Sequence, residues 1–159
     1  MRKLLLIFIA GLAAALATQP AFAGETVYVI RHLEKATGDD PALTARGAER
    51  ADQLAQLLAK ANIKAVFVTP TRRARETATP LANRLGLPVS EYNPRDVEAL
   101  AAAVSAAAGP VLIVGHSNTV AALVARFGGD RPAELTEQDY GTLFVVHSGT
   151  KQVNRIRLN

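Results

Sequence analysis

The sequence predicts an α/β fold, a three-layer α/β/α sandwich with a mostly parallel central sheet and a C-terminal antiparallel hairpin. Short apolar runs alternate with amphipathic helical patterns along the chain, which is typical of a parallel sheet covered by helices on both faces. The 159 residues are 49% hydrophobic and include no Cys or Trp. This composition indicates one globular domain, and it excludes thiol nucleophiles and cysteine-ligated zinc.

Residues 1–23 have the pattern of a secretory signal peptide. A cationic start precedes an apolar run over Leu4–Ala17, and Ala21-Phe22-Ala23 has the small residues that a signal peptidase accepts. A retained membrane anchor is the alternative, but the run is shorter than the ~20 residues of a spanning helix. We expect cleavage after this site, one domain over residues 24–159, and a periplasmic or secreted location.

The strands are predicted from four apolar runs without polar alternation, as is typical of strands buried on both faces. These runs are Thr26–Ile30, Ala65–Val68, Val111–Val114 and Leu143–Val146. After the fourth run, Gly149 and the alternating segment Arg155–Leu158 predict a hairpin with a half-exposed edge strand.

Helical patterns fill the gaps between these strands. Ala51–Leu58 and Val97–Val104 repeat apolar residues at positions i, i+3, i+4 and i+7. Thr44 is expected to cap the first of these helices, and Gly109-Pro110 to end the second. Another helix is expected to run to about Leu85, with cationic residues in its first turn.

Charged and polar residues follow three of the predicted strands. They are Arg31 and His32 after the first, Arg72 and Arg73 after the second, and His116 and Ser117 after the third. Ligands of an open α/β sheet bind at the carboxyl ends of the strands, where helix N-termini offer unpaired N–H groups. We therefore expect these side chains to form one site, and we expect His147, on the last hairpin, to lie away from it.

Three arginines, Arg72, Arg73 and Arg75, fall in the first turn of the second helix. Cations there oppose the helix dipole and cost a few tenths of a kcal/mol each. Arginines beside histidines in such a place indicate an anion site suited to a phosphoryl group. The alternative is that the arginines are merely solvated, with Glu76 as a potential partner, and we expect this alternative to hold for Arg75.

Other chemistries fit the sequence less well. His32 and His116 lack the H-x-x-x-H spacing and the acidic partners of a metal site, so we expect no metal and no cofactor. The segment Gly115–Thr119 lacks the final glycine of the serine-hydrolase motif G-x-S-x-G. The leader contains Arg2 and Lys3, so its removal lowers the formal net charge from +4 to +2, and no nucleic-acid partner is expected.

Four segments together resemble the histidine phosphatase superfamily, the phosphoglycerate mutase-like group, and the short chain resembles its small SixA-like branch. They are Val29–Glu34, Leu43–Gly47, Thr69–Ala78 and Val114–Ser117. The resemblance implies that His32 is the nucleophile that becomes phosphorylated. It also implies that Arg31, Arg73 and a protonated His116 bind phosphoryl oxygens, with Ser117 among the substrate-binding residues. The chain departs from the family pattern at Leu33, where the family has Gly.

The resemblance leaves the proton donor open among Asp96, Glu34 and none. In larger members of the family an acid follows the second helix, and Asp96 is the nearest candidate in that region. An Asp just before a helix is also an ordinary N-cap.

The sequence therefore predicts an exported, metal-independent phosphatase that hydrolyses a phosphomonoester or related small phosphate through a phosphohistidine on His32. Two alternatives remain: a non-catalytic phosphate-binding module of the same fold, and a phosphohistidine phosphatase acting on protein. The expected partner is a small phosphorylated substrate, without nucleic acid and without membrane after signal cleavage. The oligomeric state stays open.

Overall fold

The computed structural model describes residues 26–159, so the expected signal peptide lies outside the described residues. Strands and helices alternate over most of this length. In chain order they are β1 (Thr26–Arg31), α1 (Ala45–Leu58), β2 (Ala65–Val68), α2 (Arg72–Leu85), β3 (Val89–Glu91), α3 (Val97–Ala106), β4 (Val111–Gly115), α4 (Ser117–Arg126), β5 (Thr142–His147) and β6 (Gln152–Arg157).

The strands form one mixed sheet in the order β3-β2-β4-β1-β5-β6. The first four strands in this order are parallel, whereas β5 runs antiparallel to β1 and β6 antiparallel to β5. This topology confirms the predicted α/β fold with its C-terminal hairpin. Every predicted strand is present, and the short edge strand β3 was not predicted.

Helices cover both faces of the sheet because the central strands are apolar on both sides. In β4, Leu112 packs in a cluster with residues of α1 and α2, while Ile113 packs on the opposite face with residues of α3 and α4. Each buried side chain of this size contributes roughly 1.5–3 kcal/mol. Among residues 26–159, no helix has the length and apolar character that crossing a membrane requires.

Side-chain oxygen atoms accept hydrogen bonds from backbone N–H groups at the N-termini of α1 and α2. The Thr44 hydroxyl accepts from the Gly47 N–H at 3.1 Å, which confirms the predicted cap of α1. At α2 the capping group comes from a distant loop, since the Asp40 carboxylate accepts from the Arg72 N–H at 2.8 Å. That contact ties the loop after β1 to the start of α2.

Candidate active site

The sheet order places the ends of β2, β4 and β1 side by side. Arg31 and Gly115 are paired in the β1–β4 register, and the N–H of His32 donates to the carbonyl of Gly115 at 2.9 Å. The next residues, His32 and His116, are therefore neighbours. Their ring centroids are 5.3 Å apart, with an interplanar angle of 68°.

An open cleft of about 580 Å³ lies at this edge of the sheet. Its lining residues are Arg31, His32, Lys35, Arg73, His116, Ser117, Asn118 and Glu137. The structure thus brings together five of the six residues that were expected to form one site, all except Arg72, and adds Lys35, Asn118 and Glu137. No group of three or more His, Asp or Glu side chains within residues 26–159 could hold a metal ion.

His32 is 2% exposed, and its hydrogen bond to the backbone fixes the position of its proton. Nδ1 lies 2.9 Å from the carbonyl oxygen of Leu33, which can only accept, so Nδ1 carries the proton and Nε2 has a free lone pair. Burial, with smaller effects of the charges of Arg31, His116 and Arg73, lowers the pKa of His32 to about 3. The imidazole is therefore neutral at physiological pH.

His116 has a similar electrostatic environment at the start of α4. Burial lowers its pKa to about 4, helped by the charges of Arg73 and Arg31 and opposed by Glu137. In the protein by itself His116 is therefore neutral, because burial and both arginines disfavour a positive charge on its ring, and the protonated His116 stays a prediction for the phosphoryl-bound state. A phosphoryl dianion beside the ring would raise this pKa again.

Arg31 is 2% exposed, and the segment between α4 and β5 surrounds its guanidinium. Nη1 donates to the carbonyls of Thr136 at 2.6 Å and Asp139 at 3.4 Å. Nη2 donates to the Glu137 carboxylate at 3.0 Å and to the Tyr140 hydroxyl at 3.2 Å. The guanidinium carbon also lies 4.1 Å from the centre of the Tyr140 ring. Within residues 26–159, the Arg31 Nε is buried without a hydrogen-bond partner.

Arg73 is the member of the α2 arginine cluster that lines the cleft. Its Nη1 lies 3.5 Å from the Asp40 carboxylate, a long and partly exposed contact. Its Nε is buried and has no hydrogen-bond partner among the described residues. Donors on Arg73 are therefore available to an anion in the cleft.

The other two arginines of this turn form ion pairs. Arg72 pairs with Glu76 at 2.7 Å and Arg75 with Glu91 at 2.8 Å. Arg75 is therefore solvated and away from the cleft, as expected, and Glu76 pairs with Arg72 because residues four apart lie on one face of a helix.

Neither of the two carboxylates considered as proton donor lines the cleft. Asp96 caps α3, since its carboxylate accepts from the Ala99 N–H at 2.9 Å. Glu34 pairs with the buried Arg50 and lies 3.7 Å from the Arg46 Nε. The carboxylate that does line the cleft belongs to Glu137, which the sequence reasoning missed. A hydrogen bond from Ser117 and the charge of Arg31 hold the pKa of Glu137 below its usual range.

Leu33, the departure from the family pattern, does not line the cleft. Its side chain is fully buried in the cluster formed with α1 and α2. Its N–H donates to the Thr77 hydroxyl at 3.0 Å, which holds the backbone beside His32 against α2. The leucine therefore adds to the core and leaves the site open.

His147 lies at the opposite edge of the sheet, as predicted. It pairs in register with Thr26, the first residue of β1, while the cleft forms beyond the last residue of that strand. Its Nδ1 is 3.3 Å from the Thr26 hydroxyl oxygen.

Comparison with protein families gives one match, and comparison with solved structures gives several. Residues 23–94 match the model described as histidine phosphatase superfamily (branch 1). No curated protein matches the chain in sequence.

Three solved phosphatases illustrate the structural similarity. The protein histidine phosphatase SixA, solved with tungstate, is 23% identical, with a TM-score of 0.64 over 82% of this chain and 94% of its own. The α-ribazole phosphatase from Shigella flexneri is 22% identical, with a TM-score of 0.64 over 84% and 96%. A mycobacterial glucosyl-3-phosphoglycerate phosphatase, solved with inorganic phosphate, is 17% identical, with a TM-score of 0.58 over 85% and 97%. At these identities the likeness shows a shared fold.

Proposed function

We propose that this chain, whose residues 23–94 match the histidine phosphatase superfamily and whose fold is shared with solved phosphatases, hydrolyses a small phosphomonoester through a phosphohistidine on His32. The family places the protein among the phosphatases, whereas the substrate and the covalent intermediate are our proposal. One observation carries it. The buried imidazole of His32 is neutral and has its proton on Nδ1. It lies beside the neutral imidazole of His116, and the Nε of Arg73, which lines the same cleft, has no hydrogen-bond partner among the described residues.

In the first step, the lone pair on Nε2 of His32 attacks phosphorus while the bond from phosphorus to the ester oxygen breaks. Charge in this transition state is spread over three equatorial oxygens. Arg73 and His116 line the cleft around that position, and the N-termini of α2 and α4 add partial positive charge. No metal is needed if these groups supply the stabilisation.

In the second step, water attacks the phosphohistidine, the P–N bond breaks, and inorganic phosphate leaves with His32 neutral again. Dividing one slow hydrolysis into two displacements lowers each barrier. The leaving alcohol of the first step takes a proton from water or from the site, and a substrate with an acidic leaving group does not need this proton.

A non-catalytic phosphate-binding module is the competing proposal. It is favoured by one observation: Asp96 and Glu34, the expected proton donors, both make structural contacts away from the cleft. A binder of this kind would gain thermal stability from phosphate but would not turn over an activated aryl phosphate in the presence of chelator.

The test is rapid quenching with a labelled, activated aryl phosphate, followed by mapping of the labelled peptide. His32→Ala should abolish the label and lower turnover by several orders of magnitude, because the proposal assigns the attack on phosphorus to the His32 imidazole and only charge stabilisation to His116. His116→Ala should lower turnover by on the order of 10²–10³ and still form labelled enzyme. His147→Ala is the matched control, since it removes an imidazole at the far edge of the sheet.

Two outcomes would contradict the proposal. Undiminished labelling of the His32→Ala variant would show that another residue is the nucleophile. Protection by phosphate without any turnover of the activated ester would favour the binding module.

We also propose that the protein acts outside the cytoplasm, in the periplasm or as a secreted enzyme. Support comes from the cationic start, the apolar run and the Ala21-Phe22-Ala23 site of residues 1–23. An exported phosphatase would meet small phosphate esters that cannot enter the cell.

A further inference from the structure

We propose that Glu137 is an internal competitor of phosphate: its carboxylate occupies the Arg31–Ser117 anion position, the phosphoryl group displaces it, and its return promotes release of inorganic phosphate. This inference rests on the proposed function, because it takes the cleft as the phosphoryl site. It assigns a role in product release to a residue outside the four segments that resemble the family.

The carboxylate of Glu137 already makes the contacts that a bound anion would make. One oxygen lies 3.0 Å from the Arg31 Nη2, and the other accepts from the Ser117 hydroxyl at 3.1 Å. Ser117 is the first residue of α4, where a helix N-terminus favours negative charge. An arginine, a hydroxyl and a helix N-terminus together form a phosphate-binding set, and here a side chain of the protein fills it.

Of the acceptors around the Arg31 guanidinium, Glu137 is the one that can leave. Two of the others are backbone carbonyls, those of Thr136 and Asp139, and the third is the hydroxyl of Tyr140, whose ring packs against the guanidinium. The Glu137 side chain is 69% exposed, whereas that of Arg31 is 2% exposed. An exposed carboxylate regains water when it turns outward, so its displacement is cheap.

The charges that line the cleft explain how the Glu137 carboxylate can compete with phosphate for Arg31. Three cations, Arg31, Lys35 and Arg73, face one anion, Glu137, and Asp40 lies against Arg73 from outside the lining. Both imidazoles are neutral in the protein by itself. A site without Glu137 would hold inorganic phosphate, the product, more tightly, because three cations would then face it without a competing carboxylate in the lining. The carboxylate removes part of that affinity.

The test measures binding of inorganic phosphate by calorimetry, and product inhibition by phosphate during hydrolysis of an aryl phosphate. Glu137→Gln should tighten phosphate binding and lower its inhibition constant by about twofold to fivefold, the range that corresponds to the loss of one exposed ion pair. Glu137→Ala should tighten binding at least as much, since alanine also leaves Arg31 without that acceptor. Glu134→Gln is the matched control, because Glu134 lies on the same segment and pairs with Arg131 instead.

The Arg73→Ala variant separates failure of this inference from failure of the proposed function. If phosphate binding depends on Arg73 but is unchanged in Glu137→Gln, Glu137 does not compete and the inference is wrong while the function stands. Weaker phosphate binding in both Glu137 variants would also overturn it, because it would mean that Glu137 organises the site. If the Arg73→Ala variant binds phosphate as tightly as the wild type does, the cleft is not the phosphoryl site, and both proposals fail.

Discussion

The neutral state of His32 can be tested directly by changing the pH. Burial lowers the pKa of this imidazole from 6.5 to about 3, so at pH 5 about 99% of it is neutral. A histidine with the ordinary value would be only about 3% neutral at the same pH. The structure therefore predicts roughly 30 times more of the nucleophilic form at pH 5 than an ordinary surface histidine would have.

NMR titration of the histidine ring protons measures this difference. The chain has three histidines, so single His→Gln variants assign the signals. The His32 signal should stay at its neutral position between pH 8 and pH 5, and added inorganic phosphate should raise the pKa of His116 by placing negative charge beside it. A midpoint near 6.5 for His32 in the protein by itself would refute the argument from burial.

The same lowered pKa makes stability depend on pH, and its sign can be worked out. Below about pH 6.5 the unfolded chain protonates His32, while the folded protein does not until about pH 3. The free energy of unfolding should therefore fall as the pH decreases through this window, by at most about 5 kcal/mol from this residue. His32→Gln should remove its share of the slope, and an unchanged slope would argue against the buried neutral imidazole.

Three further predictions concern packing, metal independence and processing. A Cβ at Gly47 would collide with the backbone oxygen of Glu34, so Gly47→Ala should lower the free energy of unfolding by about 1–3 kcal/mol in denaturant titrations. Glu49→Ala, at an exposed position of the same helix, should change the free energy of unfolding by less than about 0.5 kcal/mol. Equal effects of the two substitutions would contradict the close contact between Gly47 and the backbone of Glu34. EDTA should leave phosphatase activity unchanged while vanadate, a mimic of the five-coordinate transition state, inhibits it; loss of activity on chelation would favour a metal. N-terminal sequencing of the exported protein should begin at Gly24, and a chain that still begins at Met1 would rule out cleavage.

The sheet could be predicted from the sequence where burial determines the residue types. Most residues of the strands β1, β2, β4 and β5 are buried. These segments can therefore be recognised in the sequence as apolar runs. Strand β3 has three residues, Val89, Ser90 and Glu91, of which none is fully buried. It exists because it pairs with β2 at the edge of the sheet, and pairing of this kind leaves no pattern in a short segment.

The site could be predicted where it lies directly beyond a strand end. Arg31 ends β1, and His32, Arg73 and His116 follow parallel strands, so the topology carries all four to one edge of the sheet. Glu137 lies in the segment between α4 and β5, which contains no helix or strand, so no sequence pattern predicts where its side chain lies. The structure gives the reason for its place in the cleft. Because β5 runs antiparallel to β1, the residues just before β5 must lie at the edge where β1 ends.

The contacts of Arg31 change the role that the sequence suggested for it. Its Nη atoms are occupied by Thr136, Glu137, Asp139 and Tyr140, so the guanidinium first of all holds the segment before β5 against the cleft. A buried guanidinium must satisfy its donors, and these acceptors do so for all but Nε. Its charge nevertheless acts on the site, because it helps to lower the pKa values of both imidazoles that line the cleft. Arg31 thus adds to burial in keeping both imidazoles neutral, and under the proposed function its Nε, or the place that Glu137 leaves, would serve a phosphoryl group.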